Sequence, residues 1–300
     1  MSQSTTERTG NNNGSSNTLK RIKIFMEMIK FEHTIFALPF AYMGALLAQQ
    51  QIPAWDVLFW ITVAMVGART AAMTLNRMID RHIDRDNPRT ADRAMAKGAI
   101  KVGEAWIYTL ISFGLLILAA AMLNPLALLL SPLAVFILTI YSYTKRFTWA
   151  CHIVLGAALA AAPVGAWIGV NGSIEGSIII LGLAVLTWVA GFDILYACQD
   201  TEFDRSYGLH SIPARFGIAR SLWIARLFHI AAALLLIMTG LLLGLGYWYY
   251  IGVLIAIILL IYEHSLVSPQ DLSKLDAAFF AMNGYISVTM FFFTLLDIVL

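Results

Sequence analysis

Nine stretches of this chain, at roughly 33–50, 57–79, 105–123, 125–144, 151–170, 177–198, 222–244, 248–265 and 277–298, are apolar for close to the length that crosses a bilayer. A span takes about 20 such residues, and inside hydrocarbon the backbone must satisfy its own polar groups, as a helix does. The expected fold class is therefore all-α, a polytopic membrane protein of about nine transmembrane helices. Composition agrees. Of 300 residues 59% are hydrophobic and 13% charged, against roughly 25% charged in ordinary soluble domains, and the mean hydropathy is +0.75.

The first residues, Met1 to Leu19, are rich in Ser, Thr, Asn and Gly and contain no apolar run. They read as a disordered N-terminal tail (1–19) ahead of a single membrane domain (20–300), not as a signal peptide. Asn124-Pro125 separates the third and fourth stretches and predicts a tight helical hairpin. The two cysteines, Cys151 and Cys198, have no metal-type spacing and read as small buried hydrophobes.

The basic residues give the orientation. Lys20, Arg21, Lys23 and Lys30 precede the first stretch, Arg77 to Lys101 follow the second, Lys145 and Arg146 follow the fourth, and Arg205, Arg215 and Arg220 follow the sixth. The opposite connections, around Gln51–Asp56, Asn124, Asn171–Gly176 and Gly246, carry no Lys or Arg. By the positive-inside rule the N-terminus is cytoplasmic and, after nine spans, the C-terminus lies outside a cell (plasma or inner) membrane. Trp55, Trp149 and Trp248 fall near the expected interfaces. A net charge of +2 argues against general polyanion binding, and no nucleic acid is expected as a partner.

Against this apolar background two Asp-x-x-x-Asp pairs stand out, Asp80/Asp84 and Asp200/Asp204, at a common offset of 120 residues (200 − 80 and 204 − 84). Each ends an apolar stretch and opens a long polar connection on the expected cytoplasmic side, which suggests two four-helix halves and a ninth helix. A step of four puts both carboxylates of a pair on one helical face. Asn76 extends the first stripe, and Asp193 and Tyr196 extend the second. Two such faces brought together need compensation. Hard oxygen donors of this kind suit Mg²⁺ shared with a phosphorylated ligand, and Arg89, Arg93 and Lys97 supply cations for phosphate oxygens. The pattern points to Mg²⁺ and a diphosphate carried on a lipid.

These residues resemble the UbiA superfamily of intramembrane aromatic prenyltransferases, whose first motif is Asn-Asp-x-x-Asp-x-x-x-Asp and whose second contains Tyr-x-x-x-Asp-x-x-x-Asp followed by Gly-x-Lys-Ser. Here the first is met by Asn76, Asp80 and Asp84, the second by Tyr196, Asp200, Asp204, Gly208 and Ser211, and the family's Arg-Thr-x-x-Arg by Arg89, Thr90 and Arg93. The resemblance covers about residues 20–300 and is closest to the bacterial 4-hydroxybenzoate polyprenyltransferase-like branch, which the Glu32-His33 stretch also resembles. It departs from the pattern twice: Arg77 stands where the family has its first Asp, and His210 where a Lys is usual.

The resemblance implies nine helices around a central cavity in which a polyprenyl diphosphate alkylates a small aromatic acceptor, with Mg²⁺ as cofactor and the bilayer as surroundings. It implies Asp80, Asp84, Asp200 and Asp204 as catalytic acids that hold Mg²⁺ with Asn76. It implies Arg69, Asn76, Arg77, Arg89, Arg93, Lys145, Arg146, Asp193, Tyr196 and His210 as substrate contacts. Arg69, seven residues before Asn76 on one face, takes the place associated with an acceptor carboxylate; the alternative is a structural salt bridge to Asp193 or another intramembrane acid. Lys145 and Arg146 resemble the family's basic pair after the fourth helix, with an interfacial positive-inside anchor as the alternative. The small residues from Gly156 to Ala166 suit close helix packing or a groove for an isoprenoid chain. Quinone biosynthesis from 4-hydroxybenzoate is the expectation. A futalosine-type or naphthoate acceptor, a haem O synthase-like or chlorophyll synthase-like member using a tetrapyrrole, and a membrane transporter stand as alternatives.

Overall fold

The computed structural model describes residues 21, 23–29, 32–275 and 281–300, with side chains from residue 38 onward in the first long helix. The tail Met1–Leu19, Lys20, Lys30, the side chains of Glu32 and His33, and the start of the ninth expected span lie outside the described residues.

The helices are α1 (Glu32–Gln49), α2 (Trp55–Ile79), α3 (Arg81–Asp86), α4 (Val102–Leu123), α5 (Pro125–Thr144), α6 (Cys151–Asn171), α7 (Gly176–Ala197), α8 (Thr201–Tyr207), α9 (Ile212–Phe216), α10 (Ile218–Leu243), α11 (Tyr247–Ser265) and α12 (Asn283–Val299). A single 3₁₀ turn, Cys198–Asp200, joins α7 to α8. No β-strand occurs among the described residues, so the all-α expectation holds. Seven helices are long and apolar enough to cross a membrane, with α7 running on through Tyr207 in that reckoning; Leu38–Gln49 and Asn283–Val299 are the described apolar parts of the first and last expected spans.

Local sequence explains the turns. Asn124 caps α5, its side-chain oxygen accepting from the Ala127 amide at 2.9 Å, and Pro125 opens the helix where no amide donor is needed. The Asn124 amide group also donates to the carbonyls of Ile168 and Gly169 at 2.7 and 3.0 Å, which fixes the hairpin against the end of α6. Gly208, with φ of 76°, ends α8 in a left-handed conformation and turns the chain back toward α5.

Helices adjacent in the chain pack side by side, and α12 closes the arrangement by lying against both α11 and α1, while α1 also packs on α6. Small residues permit the closest approaches. A Cβ at Gly44 would lie 2.3 Å from the Pro163 carbonyl oxygen, and one at Gly156 would lie 2.4 Å from that of Leu186. Met43, Trp167, Ile178, Leu181 and Tyr249 are buried within the bundle. Large apolar side chains such as Leu110, Leu129, Leu234, Leu241 and Ile261 face outward. An exposed apolar belt of that extent suits lipid rather than water.

Candidate active site

The end of α2 sets the first stripe. Asp80 stands at the junction of α2 and α3, yet the hydrogen-bond ladder runs on: the Asp80 amide donates to the Asn76 carbonyl at 2.9 Å and the Asp84 amide to the Asp80 carbonyl at 2.7 Å. Asn76, Asp80 and Asp84 therefore keep their four-residue alignment. The second stripe forms where α7 passes through the 3₁₀ turn into α8, which sets Asp200 and Asp204 beyond the apolar part of α7.

Each carboxylate has a partner, and most partners come from distant parts of the chain. Asp80, buried at 2% exposure, accepts from Lys145 Nζ at 2.6 Å, Arg146 Nη2 at 2.8 Å and Asn76 Nδ2 at 3.3 Å. Asp84 accepts from Arg93 Nη1 at 2.7 Å through Oδ1, while its buried Oδ2 has no hydrogen-bond partner. Asp200 is gripped by Arg89, through Nε at 2.9 Å and a second bond from Nη2, and by Asn87 Nδ2 at 3.0 Å. Arg89 Nη1 also donates to the Tyr196 hydroxyl at 3.0 Å, with the guanidinium 5.1 Å from that ring's centre. Asp204 accepts from Ser211 Oγ at 2.7 Å. The Tyr207 hydroxyl donates to Asp86 at 3.1 Å, so the polar connections after α2 and α7 are joined at two places.

Beneath these groups lies a cavity of about 570 Å³. Its polar end is lined by Asn76, Arg77, Asp80, Arg89, Arg93, Lys145, Tyr196, Asp200 and Asp204, and its body by apolar side chains including Phe40, Ile61, Leu116, Leu138, Trp188 and Phe192. Ala158, Ala161, Ala162, Gly165 and Ala166 line it too. The small-residue run of α6 packs closely at Gly156 and lines the cavity farther on.

Arg69 and Asp193 reach the same cavity, but not each other. Asp193 Oδ2 is 2.7 Å from His152 Nδ1, and Arg69 forms no ion pair among the described residues, its buried Nε having no hydrogen-bond partner. The alternative in which Arg69 neutralises Asp193 is therefore corrected. A guanidinium is available in the cavity wall because the acid nearest to it in the sequence argument is satisfied by an imidazole.

Three expected contacts sit off the cavity wall. Asp84 packs behind it on Arg93, and Arg146 binds Asp80 and the carbonyls of Ile79 and Ser142, at 3.0 and 2.8 Å. His210 is exposed, and its backbone amide donates to the Lys145 carbonyl at 2.7 Å. Lys97 is drawn to the exposed Asp92 at 2.5 Å, away from the Asp pairs. His152 and Asn87 are site residues that the sequence argument passed over. An acid within an apolar stretch needs a polar neighbour, and that requirement was the one available signal for His152.

Hard oxygen donors in the two stripes, with Asp84 Oδ2 buried and unsatisfied, fit a divalent cation by their chemistry. Among the described residues, however, no three His, Cys, Asp or Glu side chains converge as a ready ligand set: Asp80, Asp84 and Asp200 are turned toward cations and Asp204 toward the Ser211 hydroxyl.

Residues 37–294 match the UbiA prenyltransferase family along their whole length. This chain belongs to that family. It is 31% identical over 236 residues to the 4-hydroxybenzoate octaprenyltransferase of Citrobacter koseri, a match spanning 77% of this chain and 81% of that one. The corresponding protein of Nitrosospira multiformis is 31% identical over 257 residues, with 85% and 87% covered. Among solved structures, a UbiA homolog from Aeropyrum pernix K1 superposes with a TM-score of 0.82 at 34% identity, over 89% of this chain and 98% of that one. A homolog from Archaeoglobus fulgidus, solved bound to DMAPP and Mg²⁺, shares the fold at a TM-score of 0.71 and 22% identity, over 92% and 99%. This UbiA-family chain is thus a membrane prenyltransferase whose helices line a cavity with a charged end and an apolar body.

Proposed function

We propose that the chain transfers a polyprenyl group from its diphosphate to a 4-hydroxybenzoate-like acceptor, a step of quinone biosynthesis, with the site at the cytoplasmic face of the cell membrane. One observation carries the reading: a single cavity joins a cluster of cations and carboxylates, an apolar body, and an arginine whose buried Nε has no partner. A diphosphate, a prenyl chain and an aromatic carboxylate match these three regions in turn. The name borne by the curated relatives supports the acceptor.

Asn76, Asp80, Asp84, Asp200 and Asp204 would hold Mg²⁺, which supplies Lewis-acid stabilisation of the leaving diphosphate. Arg77, Arg89, Arg93 and Lys145 then face the phosphate oxygens, and Arg77 adds a fixed charge where the family pattern has a carboxylate. The apolar wall keeps water from the allylic cation that forms as the C–O bond breaks. Arg69 grips the acceptor carboxylate, which orients the ring so that a carbon attacks the allylic carbon. A proton then leaves the ring and aromaticity returns.

The test is mass spectrometry of membranes containing the protein, supplied with a polyprenyl diphosphate, Mg²⁺ and 4-hydroxybenzoate, dihydroxynaphthoate and a futalosine-type compound in competition. Prenylated 4-hydroxybenzoate is the expected product. Prenylation of another acceptor alone would overturn the acceptor assignment.

A further inference from the structure

His152 lies in the first turn of α6 and is buried at 3% exposure, yet it contributes to the cavity wall. Both ring nitrogens are engaged, and by different elements. The Ile212 backbone amide, at the start of α9, donates to Nε2 at 3.2 Å. A nitrogen that accepts from a backbone amide carries no proton, so the imidazole proton sits on Nδ1 and is donated to Asp193 on α7 at 2.7 Å. Asp193 Oδ1 accepts no hydrogen bond from the described residues.

The link continues on the far side of Ile212. Its neighbour Ser211 caps α9, accepting from the Ala214 amide at 3.2 Å, and donates to Asp204 at 2.7 Å. Asp204, the Ser211–Ile212 backbone, His152 and Asp193 therefore form one continuous chain of bonds along the cavity wall. It connects the second Asp pair with the acid set deeper on α7. A carboxylate in an otherwise apolar wall is costly without a donor, and the neutral imidazole supplies one while fixing the direction in which the remaining oxygen points.

We propose that His152 is a positioning residue that holds the Asp193 carboxylate toward the acceptor and, through Ile212, holds Ser211 against Asp204, so that acceptor binding and the diphosphate end share one support. This rests on the reading of the cavity given above.

Two substitutions separate the two bonds. In His152→Asn the amide reaches about as far as Nδ1, which keeps Asp193 and releases Ile212. In His152→Gln it reaches about as far as Nε2, which keeps Ile212 and releases Asp193. With purified protein in a lipid environment, His152→Gln should raise the acceptor KM about 10- to 100-fold, the range for loss of an orienting partner, and leave the Mg²⁺ requirement unchanged. His152→Asn should show the reverse, a raised Mg²⁺ requirement with the acceptor KM kept. Identical kinetic effects from the two, or a change in thermal stability alone, would overturn the proposal. Nitrogen-15 NMR of labelled histidine reads the tautomer without turnover, and a protonated Nε2 would overturn it as well. A wild-type protein that alkylates none of the aromatic acceptors would instead refute the proposed function, leaving the tautomer result to judge the linkage.

Discussion

Replacing Arg69 with alanine tests the acceptor assignment most directly, because the structure separates its effect on binding from its effect on folding. Nε is buried without a partner and no ion pair to Arg69 occurs among the described residues. Truncation therefore breaks no salt bridge and leaves no acid uncompensated, since Asp193 keeps His152. Removing an unpaired, partly desolvated cation costs only the packing of its aliphatic stem, and thermal stability in detergent should stay close to that of the parent. With an acceptor carboxylate in place, the same substitution deletes a charge-assisted, forked contact worth about 2–4 kcal/mol in a partly buried site. At about 1.4 kcal/mol per factor of ten, that is a rise of about 30- to 700-fold in acceptor KM. The prenyl diphosphate, bound at the other end of the cavity, should keep its KM, and kcat at saturation should change little because the contact is the same in ground and transition states. Steady-state kinetics with each substrate varied in turn gives both numbers. Equal losses for the two substrates, or an unchanged acceptor KM, would refute the reasoning.

Asp200→Ala should lower prenyl transfer by at least about 100-fold, since it deletes an expected ligand and frees Arg89 from its bidentate hold, and chelation of divalent cations should abolish wild-type turnover; an active Asp200→Ala protein would argue against the metal assignment. Cysteines placed within 85–101 and within 206–220 should both react only with reagent on the cytoplasmic side, and labelling of the two from opposite faces would separate the Asp pairs. Gly156→Ala should reduce thermal stability by about 1–3 kcal/mol, because its Cβ would meet the Leu186 carbonyl at 2.4 Å and backbone must move to admit it; a midpoint equal to wild type would show that α6 and α7 separate freely.

The sequence was informative wherever a physical requirement acts locally. Apolar length announced the helices, Asn124-Pro125 announced the hairpin, and the step of four announced two acidic faces that survive even the break between α2 and α3. Partners were another matter. Arg89 reaches Asp200 across 111 positions, and Arg146 reaches Asp80 across 66. No local periodicity marks such pairs, and a basic residue after a span looks the same whether it meets a phosphate, a carboxylate or the membrane surface. Asp193 could be seen to need a partner, but choosing between Arg69 and His152 required the packing of α2, α6 and α7. His210 was placed by motif position, and the left-handed turn at Gly208 is what carries it to the surface.

The engagement of every motif carboxylate with an arginine, lysine or serine has a consequence for how ligands load. A divalent cation arriving alone must pull Asp80 from Lys145 and Arg146, or Asp200 from Arg89, and leave those cations crowded together. A diphosphate arriving alone must draw the same cations away and strand the acids. On the proposed reading, the two arriving together would exchange partners with the protein: the acids would hold the metal and the cations the phosphates, with neither set stranded. Each ligand then raises the other's affinity by the same factor, as linkage demands. The protein's internal salt bridges act as a mutual lock that neither key turns by itself, and an isolated metal ion or an unchelated diphosphate should hold far less tightly than the pair.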